Sequence, residues 1–427
     1  MEKEHKAGEW YRLDNAAKLI PSTMVGADTR VFRLVCELKE EVNPEILQKA
    51  LEETMREFPY MNCCLRKGIF WYYMDQLPGC EKVREEDIPA LKALYIPGKK
   101  NFLYRVSYFH RRINVEIFHV LSDGTGGYMF IESLVTNYLI LRHSLDRSLF
   151  RSDQGSVTEK QLDAFSKYYE KGERKKRNYL REMFPVKAYQ IRGIQDANLE
   201  EHLLEGTVSV REILRVAHEN HATVGILTTA LWIEAILKEM KHSEYNRPIV
   251  VSVPVNLRQF FPSETSRNFF GVIQVVYYAG DYDGTLKSIM DPVSREFSEQ
   301  LTEENVRKTM NSYSALEHNL AVRVIPLFIK NVALQGIAYR MNTGVTTSVS
   351  NVGVVRLPAE MSPYVEKFSS FMSCKTVFLC VSTYEDQMVF GVVSSFERHP
   401  VAMNFFRRLV QLGVLVEIAS NDCDEGV

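Results

Sequence analysis

Helical and strand patterns alternate along this chain, and they do so in both halves; that alternation limits the fold more than any other feature. The first clear helix begins at Asn43, with Pro44 at its first position and apolar residues at Ile46, Leu47, Ala50, Leu51, Thr54 and Phe58, and Pro59 ends it. Runs rich in β-branched and aromatic residues flank it, Arg30 to Leu38 before and Ile69 to Met74 after. A helix with one apolar stripe between two strands has to bury that stripe against a sheet, so α/β packing follows. Two more strand patterns, Leu103 to Phe109 and Ile113 to His119, precede a helix from about Gly126 to Leu141 striped by Tyr128, Ile131, Leu134, Val135, Tyr138 and Leu139.

The second half repeats the theme. Ser209-Val-Arg-Glu212 is the pattern of a capping box, and Thr223 caps a further helix through Ile226, Leu227, Leu231 and Ile236. Strand patterns follow at Pro248 to Val255, Val272 to Ala279, Val345 to Val355, Lys375 to Thr383 and Met388 to Ser394, and a last helix runs from about Pro400 to Val416. Between the halves lies a charged crossover in which Lys167 to Lys187 holds eight basic residues against three acidic ones, a pattern read as a solvated surface. The expected division is 1–190 and 191–427, with no short-period repeat or low-complexity tract.

Charge excludes several function classes. With 52 Lys and Arg against 54 Asp and Glu, the net charge of −2 supplies no field to hold nucleic acid or an anionic membrane. The first residues, MEKEHKAGEWYRLDN, lack the apolar core of a secretory signal, and the most apolar segments, Val324 to Ala338 and Val224 to Leu237, contain Lys330 and Glu234. No membrane span is expected. Seven cysteines without a C-x-x-C pair suit reduced thiols in a cytoplasm.

The window Ile113-Asn-Val-Glu-Ile-Phe-His-Val-Leu-Ser-Asp-Gly-Thr-Gly-Gly127 carries the chemistry. Alternation sets Ile113, Val115, Ile117 and His119 on one face, so the imidazole emerges where an apolar face ends. An uncharged histidine there can take a proton from a hydroxyl near neutral pH once its tautomer is held. Asp123 follows four residues later, and Gly124, Gly126 and Gly127 permit a tight turn into the next helix.

His119, Asp123 and Gly124 form an H-x-x-x-D-G motif between a strand and a helix. It resembles the active-site motif of the acyl-CoA-dependent acyltransferase superfamily that includes chloramphenicol acetyltransferase, alcohol acetyltransferases and peptide-synthetase condensation domains. Pro254-Val-Asn-Leu-Arg258, followed after nine residues by Asn268-Phe-Phe-Gly271, resembles the segment bearing the arginine that pairs with the motif aspartate, which implies an Arg258–Asp123 bridge. Thr346-Thr-Ser-Val-Ser-Asn-Val-Gly353 resembles the Ser-Asn-x-Gly strand of bacterial alcohol acetyltransferase-like proteins, making Ser350 and Asn351 the oxyanion candidates. Trp10-Tyr-Arg-Leu-Asp-Asn-Ala-Ala17 and Phe70-Trp-Tyr-Tyr73 extend the likeness over the whole chain. The Asp-Phe-Gly-Trp-Gly motif of plant members is absent, and Val352 to Pro358 reads VGVVRLP.

The resemblance implies two chloramphenicol acetyltransferase-like lobes, each a mixed sheet with flanking helices, and a tunnel between them with His119 near its middle. It implies a monomer that uses acyl-CoA as cosubstrate, with no bound cofactor and no metal, and passes the acyl group to a small alcohol or amine. Two alternatives stand beside it: a non-catalytic binding protein of the same fold, and condensation-type transfer from a carrier-protein thioester. Other motifs are weaker. His218-Glu-Asn-His221 lacks the H-E-x-x-H spacing of a zinc protease, Gly124-Thr-Gly-Gly127 is only half a dinucleotide loop, and neither G-x-S-x-G nor a Walker A sequence occurs.

Overall fold

A computed structural model describes residues 10–24, 28–150, 155–169, 186–317 and 324–422. Most of the basic run from Lys167 to Lys187 lies outside the described residues. The described residues build a mixed α/β structure on two main sheets and a small three-stranded one.

The first main sheet has the order Val365–Met372, Val31–Leu38, Arg112–Phe118, Tyr104–Phe109, Arg84–Glu85. Its long strands pair antiparallel, and Val31–Leu38 is buried along its whole length. Two helices cover it. Pro44–Glu57 starts as the sequence indicates, with the Asn43 side chain accepting from Ile46 N, and buries Leu47, Ala50, Leu51 and Met55. Gly124–His143 packs beside it, burying Phe130, Ile131, Leu134, Val135 and Tyr138.

The second sheet is seven-stranded, in the order Phe270–Tyr278, Pro248–Asn256, Thr347–Val354, Val377–Tyr384, Gln387–Ser394, His202–Ser209, Glu417–Ser420. Thr347–Val354 runs parallel to both its neighbours, and the other pairings are antiparallel. Its main covering helix, Val224–Leu237, is apolar all round and almost wholly buried, with Thr223 capping it through Ile226 N. Such a helix needs a partner for its one buried charge: Glu234 accepts from Arg408 Nε at 2.8 Å and Tyr282 OH at 3.2 Å.

Val365–Met372 belongs to the second half of the chain yet closes the edge of the first sheet, pairing with Val31–Leu38. The strand was not anticipated, because its buried face is Phe368, Ser369, Ser370 and Phe371 and lacks clean alternation. The helices Leu286–Gln300, Glu303–Glu317 and Leu327–Thr343 also go beyond the sequence reading.

Three local expectations are corrected. The Ser209 capping box does not form: Ser209 Oγ donates to Asp386 Oδ2 at 3.1 Å, and Glu212 Oε2 accepts from Leu415 N at 2.9 Å. Both polar groups are committed to tertiary contacts instead of the helix end. The last helix stops at Gln411, not Val416, because the chain turns at Gly413, whose φ of 76° lies in the left-handed region. The strand read from Ile69 begins only at Tyr72, after a turn in which Gly68 N donates to Trp71 O. Among the described residues no helix is long and apolar enough to cross a membrane, and the six described cysteines are free thiols.

Candidate active site

The strand Arg112–Phe118 ends one residue before His119, whose backbone N–H still bonds Arg30 O at 2.9 Å. The imidazole lies between two phenyl rings, edge-on to Phe32 with centroids 5.5 Å apart and tilted against Phe270 at 5.4 Å. This apolar enclosure pulls its pKa below the ordinary histidine value, because the charged form loses water that the rings cannot replace.

Asn268 decides the tautomer. Its amide nitrogen donates to His119 O at 3.0 Å and to Asp14 Oδ2 at 3.2 Å, which leaves Oδ1 to face His119 Nδ1 at 3.0 Å. That oxygen can only accept, so Nδ1 carries the hydrogen and Nε2 keeps its lone pair. Asp14 is fully buried, accepts from Ala17 N at 2.8 Å and stands 3.7 Å from Arg267. Burial pushes its pKa up to about 6 against the pull of Arg267. The sequence reading missed both Asn268 and Asp14 as site residues. Each stood inside a quoted run, but no spacing rule links them to His119, since the contact joins the chain's opening, its first-half motif and a second-half loop.

Asp123 caps the Gly124–His143 helix through Gly126 N at 2.9 Å. Its Oδ2 also accepts from Arg258 Nη1 at 2.9 Å and Phe269 N at 2.7 Å, and its Oδ1 from Arg258 Nη2 at 3.2 Å. The bridge is bidentate and both side chains are 6–7 % exposed. Arg258 has further partners in Thr265 O, Arg267 O and Phe269 O, so one guanidinium gathers the loop that carries Asn268. Asp123 therefore shapes the loop and is itself occupied by four donors: Gly126 N, Phe269 N and the two terminal nitrogens of Arg258.

The glycines act by packing, not by turning. Gly124 opens the helix directly, and Gly126 lies within its first turn, where a Cβ would stand 1.9 Å from Ser266 O. Neither has a positive φ. Ser122 Oγ and Tyr60 OH complete the seam by bonding Ser266 O at 2.6 and 3.1 Å.

The site opens into a cavity of about 1110 Å³, including its open mouth. His119, Asp123, Gly124 and Phe32 line it from the first half, and Asn256, Phe270, Ser348 and Ser350 from the second. Asn351 also borders it but is exposed, and its Oδ1 accepts from Gly353 N at 3.1 Å next to an irregularity in strand register. Thus His119, Asp123, Gly124, Ser350 and Asn351 border one cavity, with Arg258 bound to Asp123; the Asn351 oxygen is held by Gly353 N, while its amide nitrogen, the atom that could donate to an oxyanion, takes no part in that bond.

No protein-family model matches the chain, and no curated protein matches it in sequence. Solved structures do match. Polyketide synthase associated protein 5 from Mycobacterium tuberculosis aligns with a TM-score of 0.64 at 13 % identity, over 95 % of this chain and 98 % of that one. The first condensation domain of the CDA synthetase gives 0.62 at 14 %, over 95 % of each chain. TRI101 of F. graminearum, solved with ethyl coenzyme A, gives 0.62 at 11 %, over 95 % and 97 %. The fold is the two-lobed chloramphenicol acetyltransferase-like fold of condensation domains.

Proposed function

We propose that the protein is an acyl-CoA-dependent O-acyltransferase in which His119 is the general base. The observation that carries the reading is the Asn268 contact, which reserves Nδ1–H and leaves Nε2 able to receive a proton. The acceptor hydroxyl gives its proton to Nε2 as its oxygen bonds the thioester carbonyl carbon. The tetrahedral intermediate then expels the CoA sulfur, which takes the proton back from the imidazolium. The acyl group goes directly from sulfur to oxygen, with no covalent acyl-enzyme. The Ser350 hydroxyl is the proposed donor to the oxyanion, and the Asp123–Arg258 bridge is a positioning element. Structural neighbours support this class: TRI101 was solved with coenzyme A and T-2 mycotoxin, and another neighbour is described as TRI3 trichothecene 15-O-acetyltransferase.

A cytoplasmic monomer with one passage joining the two substrates at His119 completes the proposal. The test is free CoA release, followed with a thiol reagent across a panel of acyl-CoAs and alcohols. Turnover by wild type and its loss in His119→Ala are expected; equal turnover by both removes His119 from the mechanism. Activity with pantetheine thioesters of a carrier protein, and none with acyl-CoA, selects the condensation-type alternative. Saturable ligand binding without any turnover selects the binding protein.

A further inference from the structure

Outside the set of residues that line the active-site cavity, four segments bring two histidines and two aspartates together. His202 opens the strand His202–Ser209, His399 immediately precedes the helix Pro400–Gln411, Asp422 follows the edge strand Glu417–Ser420, and Asp196 sits in the loop before His202. The backbone sets this arrangement. Asn421 clamps the terminal segment, its Oδ1 accepting from Leu203 N at 2.6 Å and its N–H donating to Leu203 O, which presents Asp422 to the rings. The Asp196 and His399 segments are joined by a bridge between Gln195 and Phe396.

Within the cluster His202 Nδ1 and Asp422 Oδ1 are 2.5 Å apart, and His399 Nε2 and Asp422 Oδ2 3.3 Å. The rings pack with centroids 4.9 Å apart. If each neutral ring donates to Asp422, its other nitrogen is a bare lone pair, and those two atoms, His202 Nε2 and His399 Nδ1, are buried with no hydrogen-bond partner. Asp196 Oδ2 stands 3.9 Å from His202 Nε2. On the opposite edges of the rings, His202 Nδ1 and His399 Nε2 converge on the two oxygens of one carboxylate, so a cation seated there takes a ligand from each of the three groups.

We infer that His202, His399 and Asp422 form a site for a divalent transition metal of the zinc class, linking the C-terminal segment to the second sheet. One ligand atom from each lies within 4.8 Å of the others, whereas tetrahedral zinc with bonds of about 2.0–2.1 Å sets its ligands roughly 3.4 Å apart. The two nitrogen-to-carboxylate distances, 2.5 and 3.3 Å, already reach that spacing, so binding needs only the two rings to close on each other and Asp422 to give way on its exposed terminal segment. Imidazole nitrogens with a carboxylate favour zinc over the oxygen-seeking calcium and magnesium. Water supplies the fourth ligand, and Asp196 faces the hydrogen that metal binding moves to His202 Nε2. The ligands are far apart in sequence, which is why no metal motif is visible there.

The test uses the full chain stripped with a chelator and titrated with zinc chloride by calorimetry, with cobalt as a spectroscopic probe. One equivalent is expected to bind, cobalt to show tetrahedral d–d bands, and the melting temperature to rise about 3 °C at a hundredfold excess over Kd. His399→Ala and Asp422→Asn should each weaken zinc at least tenfold, with circular dichroism checking that each variant is folded; Asp422→Asn, at an exposed position, keeps the test available if His399→Ala does not fold. Absence of saturable binding, or zinc affinity unchanged when His202 and His399 are both replaced by alanine, overturns the proposal. So does a cluster that answers to pH alone, which would be an ion pair.

Discussion

The two walls of the active-site cavity are built differently. On the His119 side the groups that hold the base are tied to one another: Nδ1 has Asn268, Asn268 has His119 O and Asp14, and Asp123 has Arg258, Gly126 N and Phe269 N. On the Ser350 side, the strand Thr347–Val354 loses register between Asn351 and Gly353, and Gly353 takes a φ of 109°. A base has to be held within a fraction of an ångström of the hydrogen it removes, so its surroundings are over-determined. A wall that meets substrates of varied shape can keep looser backbone geometry.

The largest effect tests the ordered wall itself. His119→Ala should lower kcat by ~10²–10⁴ with little change in melting temperature, the range a positioned base contributes. Loss of stability in place of activity would make the ring a packing element. Arg258→Ala should be nearly as costly but through folding: it leaves the Asp123 carboxylate buried and unpaired, worth about 3–5 kcal/mol, and Arg258→Lys should recover only part of that because it cannot bridge both oxygens. Denaturant unfolding measures it, and an unchanged midpoint would mean that the loop stands without the bridge.

Ser350→Ala should reduce kcat by about 10², the lower end for an oxyanion donor, while stability is unaffected; an unchanged rate moves the oxyanion to another donor. Asn268→Ala should cost about tenfold, since the imidazole then samples the wrong tautomer, and Asn268→Asp should raise the apparent pKa of His119 by adding a negative charge beside it. The smallest effect is in the pH profile. With the imidazole pKa lowered by burial, Nε2 remains unprotonated through neutrality, and kcat/KM should fall only once pH drops below the ordinary histidine value of about 6.5. An acid limb above that value contradicts the apolar enclosure by Phe32 and Phe270.

Much of this was readable from local pattern. The Asn43 cap with Pro44, the apolar stripe to Phe58, the strand ending at His119 and the Thr223 cap depend on neighbours within a few residues, and they stand in the structure where the pattern puts them. The failures share a cause. Ser209 and Glu212 carry a correct local signal but bond to Asp386 and Leu415, which are remote in sequence. Gly124 and Gly126 look like turn residues, and Gly126 is required because Ser266 O approaches the helix closely.

What the amino-acid order determined by itself is many of the elements, their apolar faces and the motif residues His119, Asp123 and Gly124, since periodicity and capping act over one or two turns of chain. Tertiary structure decided the rest: that Val365–Met372 closes the first sheet, that Asn268 and Asp14 select the histidine tautomer, and that His202, His399 and Asp422 meet. These are contacts between residues hundreds of positions apart or on separate elements, where buried donors must find acceptors, and no local pattern encodes which remote partner will be there.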